Sequence, residues 1–135
     1  MQDDLDRFVR AQADSYDNAL AELRAGTKRS HWMWYVFPQI VGLGQSAMAR
    51  RYEIRDLDQA RAYLAHPLLG PRYAAAAEAL LPHRDRSATS IMGTIDAMKL
   101  RSSLTLFDRA GAPPVVAEAL AAFFGTPDAE TLRRL

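Results

Sequence analysis

A chain of 135 residues that is 49% hydrophobic and 24% charged fits one domain, residues 1–135, with a single core that needs no metal or disulfide staple. It has no cysteine, which excludes a disulfide scaffold, a thiolate metal site and a cysteine nucleophile. A formal net charge of +1 gives no general field for nucleic acid or a membrane surface, so any anion binding has to come from local arrangement.

The acidic opening, Met1 to Asp6, lacks the basic start and apolar centre of a signal peptide, and no apolar run approaches membrane-spanning length. A soluble, cytoplasmic protein is expected. Leu5, Phe8, Val9, Gln12, Tyr16, Leu20 and Leu23 recur at spacings of three and four, predicting a helix over about residues 3–25 that Gly26 stops. Lys28, Arg29 and Ser30 form a basic connector. Residues 31–37 show no clean period and Pro38 blocks helix continuation, so an extended buried segment or an irregular turn is expected there.

Ser46 suits the cap of a short helix through about Tyr52, and Asp56 that of another through about His66, where Pro67 ends it. Between them, Tyr52 to Arg55 reads as a short strand. The alanine-rich run from Leu69 to Leu81 predicts a helix ending at Pro82. Ser87 starts a one-turn helix to Gly93, and Thr94 caps a long helix to about Ala110. Pro113 and Pro114 open a helix that stops at Gly125, and a short tail helix spans roughly Pro127 to Leu135. The fold class is mainly α, a compact domain of about seven helices with room for a small β element.

Both tryptophans lie in His31, Trp32, Met33, Trp34, Tyr35, Val36, Phe37, Pro38 and Gln39. Such a run is either the hub of a small core or the wall of a site for a planar ligand such as a nucleobase. His31, Trp34 and Gln39 are expected to face a ligand, and Met33, Val36 and Phe37 to fill the core. His31 reads as a general base or a donor to a base edge, or as a bonded, partly buried group. Gly42, Gly44 and Ala47 match a loose dinucleotide fingerprint, but the alternating strands it requires are absent. An anion-binding turn using Ser46 and Arg50 or Arg51, or a plain chain reversal, remains.

The helix from Thr94 has two apolar stripes, Ile95, Met98 and Leu106 on one and Leu100, Leu104 and Phe107 on the other, with Ala97, Arg101, Thr105 and Asp108 as its polar side. Lys99, Ser102 and Ser103 then fall on or beside buried positions. Lys99 either snorkels to solvent or lines a pocket, with Asp96 as its local partner. His31, His66 and His83 lack metal-ligand spacing, and Ser102 and Ser103 lack a nucleophile elbow, so neither a metal nor a serine nucleophile is expected.

Several segments carry a family resemblance: Leu5, Phe8, Val9, Ala11 and Gln12; Lys28 and Ser30 through Gln39; Gly42 to Gly44; Ala49, Tyr52 and Ile54; Ala65 to Pro67 with Leu69 and Gly70; and Asp96, Lys99, Arg101 to Ser103 and Thr105 to Phe107. Over nearly its whole length the chain resembles the domain of unknown function 1810 family, often labelled calpastatin. Inhibitory calpastatin segments are disordered, whereas this composition and periodicity are those of a packed domain. With an aromatic motif early and an Asp-x-x-Lys helix late, the chain is also similar to the YbiA-like, or NADAR, domains of ADP-ribose and NAD chemistry, although Ser30 precedes His31 where that pattern has a glutamate.

The second resemblance implies a YbiA-like fold and a nucleotide-sugar ligand stacked on Trp32 or Trp34. It implies phosphate at Gly44 to Ser46 and Lys99 with Ser102 near the ribose. Asp96 is left as the carboxylate to stabilise positive charge on the sugar during N-glycosidic hydrolysis. Two classes of function follow. One is a small enzyme on an ADP-ribose-type linkage, with Asp96, Lys99 and His31 catalytic and Trp32, Trp34, Gln39, Gly44, Ser46, Ser102 and Ser103 binding. The other is a non-catalytic small-ligand or protein-interaction module whose aromatic motif serves the core. The expected partner is a nucleotide or ADP-ribose-type ligand, with no cofactor and no metal.

Overall fold

The computed structural model describes residues 5–135. The acidic opening from Met1 to Asp4 and the expected helix start at residue 3 lie outside them. Along the described chain run α1 (Asp6–Ala13), α2 (Tyr16–Ala25), α3 (Met33–Val36), α4 (Ala47–Arg51), α5 (Leu57–Ala65), α6 (Leu69–Leu80), α7 (Ala88–Met92), α8 (Thr94–Arg109), α9 (Pro114–Phe124) and α10 (Ala129–Arg133), with a 3-10 turn at Leu81–His83 after α6.

The fold is mainly helical, and local chemistry explains most boundaries. Ser46 Oγ accepts from the Ala49 amide at 3.1 Å, Asp56 Oδ1 from Gln59 at 2.9 Å, Ser87 Oγ from Ser90 at 3.0 Å and Asp128 Oδ2 from Thr131 at 2.9 Å. Each cap satisfies an amide that the first helical turn leaves without a partner.

Helix α8 is central, packing against α3, α5, α7, α9 and α10, while α6 packs against α2, α5 and α9. The centre of the core is aromatic. The Phe107 ring of α8 lies 4.3 Å from Tyr73 and 5.1 Å from Tyr63, and Phe8 meets Tyr63 edge-on at 5.2 Å. Gln12 is buried among them, its Nε2 donating to the Tyr35 carbonyl at 2.8 Å and the Tyr63 hydroxyl at 3.0 Å.

Four local expectations are corrected. The single helix over 3–25 is broken at Asp14 and Ser15, where the Ser15 hydroxyl donates to the Ala11 carbonyl at 2.7 Å and competes with the backbone ladder. Residues 31–37 are not extended: Met33 to Val36 make one helical turn, which Phe37 leaves with ψ 72 ahead of Pro38. The short strand at Tyr52 to Arg55 is reduced to one parallel bridge between Ile40 and Ile54. Helix α8 begins at Thr94 with Gly93 as its cap residue, so the Thr94 side chain is not the cap.

Gly70 makes the α5–α6 corner possible. A Cβ at this position would lie 2.0 Å from the Leu64 carbonyl oxygen, a backbone atom that cannot swing away. Gly70→Ala is therefore expected to cost about 3 kcal/mol by pushing α6 off α5, measured as a fall in the urea midpoint. A midpoint within error of the parent would show that the corner relaxes freely.

Candidate functional site

The site begins with a buried carboxylate on α2. Glu22 Oε1 accepts from the amides of Arg29 at 2.7 Å and Ser30 at 3.0 Å and from Trp32 Nε1 at 2.9 Å. Its Oε2 accepts from the Ser30 hydroxyl and from Asn18 Nδ2, the latter at 3.0 Å. Burial pushes the Glu22 carboxyl up, but the hydrogen bonds from Ser30, Arg29 and Trp32 outweigh it and hold it down at about 2. This cluster fixes the turn leaving α2 and seals Trp32, 1% exposed, into the core.

The turn aims Lys28 at α8. Lys28 Nζ sits 2.8 Å from Asp96 Oδ2, donates to the Ser30 carbonyl at 2.5 Å and lies 4.9 Å from the Trp32 ring centre. One helical turn after Asp96, Lys99 Nζ is 3.6 Å from Asp96 Oδ1 and 4.9 Å from the Trp34 ring centre. The chain has 15 arginines and two lysines, and both lysines meet here on one carboxylate, each over one of the two tryptophans.

Two adjoining cavities of about 480 Å³ each open on either side of Lys99. The first is lined by Lys28, His31, Met33, Trp34, Asp96 and Lys99 among others. The second is lined by Gln39, Gly44, Met98, Lys99 and Ser102, with Asp128 and Glu130 at its far side. Ile95 and Lys99 belong to both and form the ridge between them. On the floor, Gln39 Nε2 donates to Ser102 Oγ at 2.8 Å. Arg101 lines the second cavity, but its guanidinium is tied to the Thr126 hydroxyl and carbonyl at 2.6 and 3.1 Å.

Of the residues singled out from sequence, His31, Trp34, Gln39, Gly44, Asp96, Lys99 and Ser102 line this cleft. Three do not. Trp32 is a core residue bonded to Glu22. Ser103 is fully buried, its hydroxyl 2.8 Å from that of Tyr73, whose phenol burial pushes well above its ordinary value. Ser46 is exposed and spends its hydroxyl on capping α4. In the turn from Gly44 to Ser46, a Cβ on Gly44 would lie 2.3 Å from that of Ala49, so glycine lets α4 approach.

Helix α8 also departs from its expected faces. Ile95 and Met98 are 72% and 68% exposed, whereas Ala97 and Thr105 are buried. The first turns of the helix are covered on one side and border the cleft on the other. Lys28, which the sequence places in the basic connector and in the family motif, is paired with Asp96 only by the fold, and Glu22 is missed altogether. Two lysines among 17 basic residues is a signal that singles out Lys28; nothing local marks Glu22. Among the described residues no group of three or more metal-ligating side chains gathers, and no helix is long and apolar enough to cross a membrane.

The family model described as "Protein of unknown function (DUF1810)" matches residues 2–135. The chain belongs to the DUF1810 family. This DUF1810 chain is also similar to a solved structure, described as the conserved hypothetical protein Rv1873 from Mycobacterium tuberculosis, with 48% identity and a TM-score of 0.95 over 98% of this chain and 96% of that one. No curated protein matches this DUF1810 chain.

Proposed function

We propose that the cleft binds a planar, anionic ligand of nucleotide type, with ADP-ribose-type compounds as the first class to test. The observation that carries this reading is the pair of ammonium groups on one carboxylate beside Trp34. In the first cavity, two lysines against Asp96 leave a positive surplus suited to phosphate, whereas Asp128 and Glu130 in the second offset it there. Lys99 is held by a 3.6 Å ion pair and a ring contact, interactions worth up to roughly 1 kcal/mol each at such exposure. A ligand phosphate can draw this ammonium away and leave the Trp34 face to a planar group. The resemblance of the sequence motifs to those of YbiA-like domains implies the same ligand class.

For hydrolysis of an N-glycosidic linkage, Asp96 would face the sugar, with Lys99 and His31 beside it. The positive surplus opposes a cation developing there, so we place binding ahead of turnover. A protein-interaction module is the second reading, favoured by the exposure of Ile95 and Met98. Thermal melting with NAD, ADP-ribose and AMP separates the two. A ligand at a hundred times its Kd adds about 2.7 kcal/mol of stability. We expect such an upward shift with at least one of the three, lost in Lys99→Ala. No shift with any of them, or one that survives both Lys99→Ala and Trp34→Ala, overturns the ligand reading.

A further inference from the structure

Away from the lysines, four arginines gather around a separate concavity of about 440 Å³ lined by Arg7, Val41, Arg50, Arg51, Glu53, Arg55 and Gln59. They come from three elements: Arg7 from α1, Arg50 and Arg51 from the end of α4, and Arg55 from the segment leading into α5. Arg55 pairs with Asp56 and Glu53 is the one carboxylate in the lining, so the local positive charge of the concavity rests chiefly on Arg50 and Arg51.

Neutral partners position Arg50 and Arg51. Arg7 Nη2 donates to the Glu53 carbonyl at 2.9 Å, Arg50 Nη2 to Gln45 Oε1 at 3.2 Å, and the Arg51 guanidinium lies 5.5 Å from the Tyr52 ring centre. Arg55 pairs with Asp56 at 3.2 Å. Among the described residues, Arg50 and Arg51 have no carboxylate at ion-pair distance. Glu53 turns its Oε2 toward the Gly42 amide at 3.3 Å.

We propose that this concavity is a second anion site that takes an oligophosphate chain, free or as the tail of a nucleotide. Planar guanidinium forks match phosphate oxygens two at a time, and arginine occupies all four basic positions. The concave shape and surplus of charge suit a short run of phosphates. Single-stranded nucleic acid is disfavoured because the nearby rings of Phe8 and Tyr52 are buried, leaving no stacking platform for bases. The site is independent of the cleft reading, sharing none of its lysines.

Calorimetric titration of the full chain with tripolyphosphate, a nucleoside triphosphate and orthophosphate at low salt tests it. Tripolyphosphate is expected to bind, with roughly tenfold weaker affinity in Arg50→Ala and again in Arg51→Ala, and to weaken as salt rises. Equal affinity for the nucleotide means that the chain of phosphates is read alone; tighter binding means that the nucleoside adds contacts. Arg50→Gln serves if an alanine variant loses its cooperative melt. Absent binding, orthophosphate binding as tightly as tripolyphosphate, affinity unchanged in both arginine variants, or loss of binding in Lys99→Ala each overturns the assignment. The last would place the anion in the cleft.

Discussion

Asp96→Asn is expected to lower the unfolding free energy by about 3 kcal/mol while tightening the binding of anions in the cleft. The carboxylate is the shared counter-charge of two ammonium groups, and the Lys28 side chain is only 7% exposed. Removing the charge leaves a buried ammonium without its ion pair, which costs more than the pair ever contributed. The same change raises the positive surplus around Trp34, so a phosphate-bearing ligand gains where the fold loses. Lys28→Met added to Asp96→Asn removes the stranded charge and should restore much of the lost stability. Urea unfolding of the two variants and the parent, with nucleotide titrations alongside, checks both signs. If Asp96→Asn were as stable as the parent, the lysine pair would not depend on it. If it bound anions more weakly, Asp96 would be a ligand contact and not a counter-charge.

The second large effect is on acid stability. Glu22 has its carboxyl held at about 2 against an ordinary value of 4.5 by donors from Ser30, Arg29 and Trp32. A depressed carboxyl stabilises the fold fully above the unfolded value. That contribution is lost as the pH falls through 4.5 toward about 2. The shift corresponds to about 2–3 kcal/mol once solvent screening is allowed for. Glu22→Gln keeps one acceptor for Trp32 and the two amides but turns an NH₂ toward Asn18, so it is expected to be less stable than the parent at pH 7. The two stability curves should converge as the pH drops toward 2. Asp56, held down chiefly by the Gln59 amide, adds its own acid slope to both proteins, so the difference between the curves isolates Glu22. Parallel curves from pH 7 to pH 2.5 would refute the assignment. Because Glu22 also fixes the turn that carries Lys28, the variant should weaken cleft binding as well.

Legibility followed the range of the interactions. The caps at Ser46, Asp56 and Ser87 and the stops at Gly26 and Gly125 were readable because a side chain and the amides it serves lie within a few residues. The one-turn helix at Met33 to Val36 was not, because a single turn buried on most sides has no period to display. Ile95 and Met98 read as core because their spacing is that of an apolar stripe. Spacing reports which residues share a face, and only the neighbours decide whether that face is covered.

The sequence by itself determined the helical class, most helix boundaries and the family, since propensity, capping and periodicity act locally and the family motifs lie within short segments. Only the tertiary structure decided that Trp32 goes inward to Glu22 while Trp34 borders the cleft, that Ser103 belongs to Tyr73 and Ser102 to Gln39, and that both lysines share Asp96. Those choices rest on contacts between residues far apart in the chain, where burial of one indole and desolvation of one ammonium select the partner, and no local pattern encodes them.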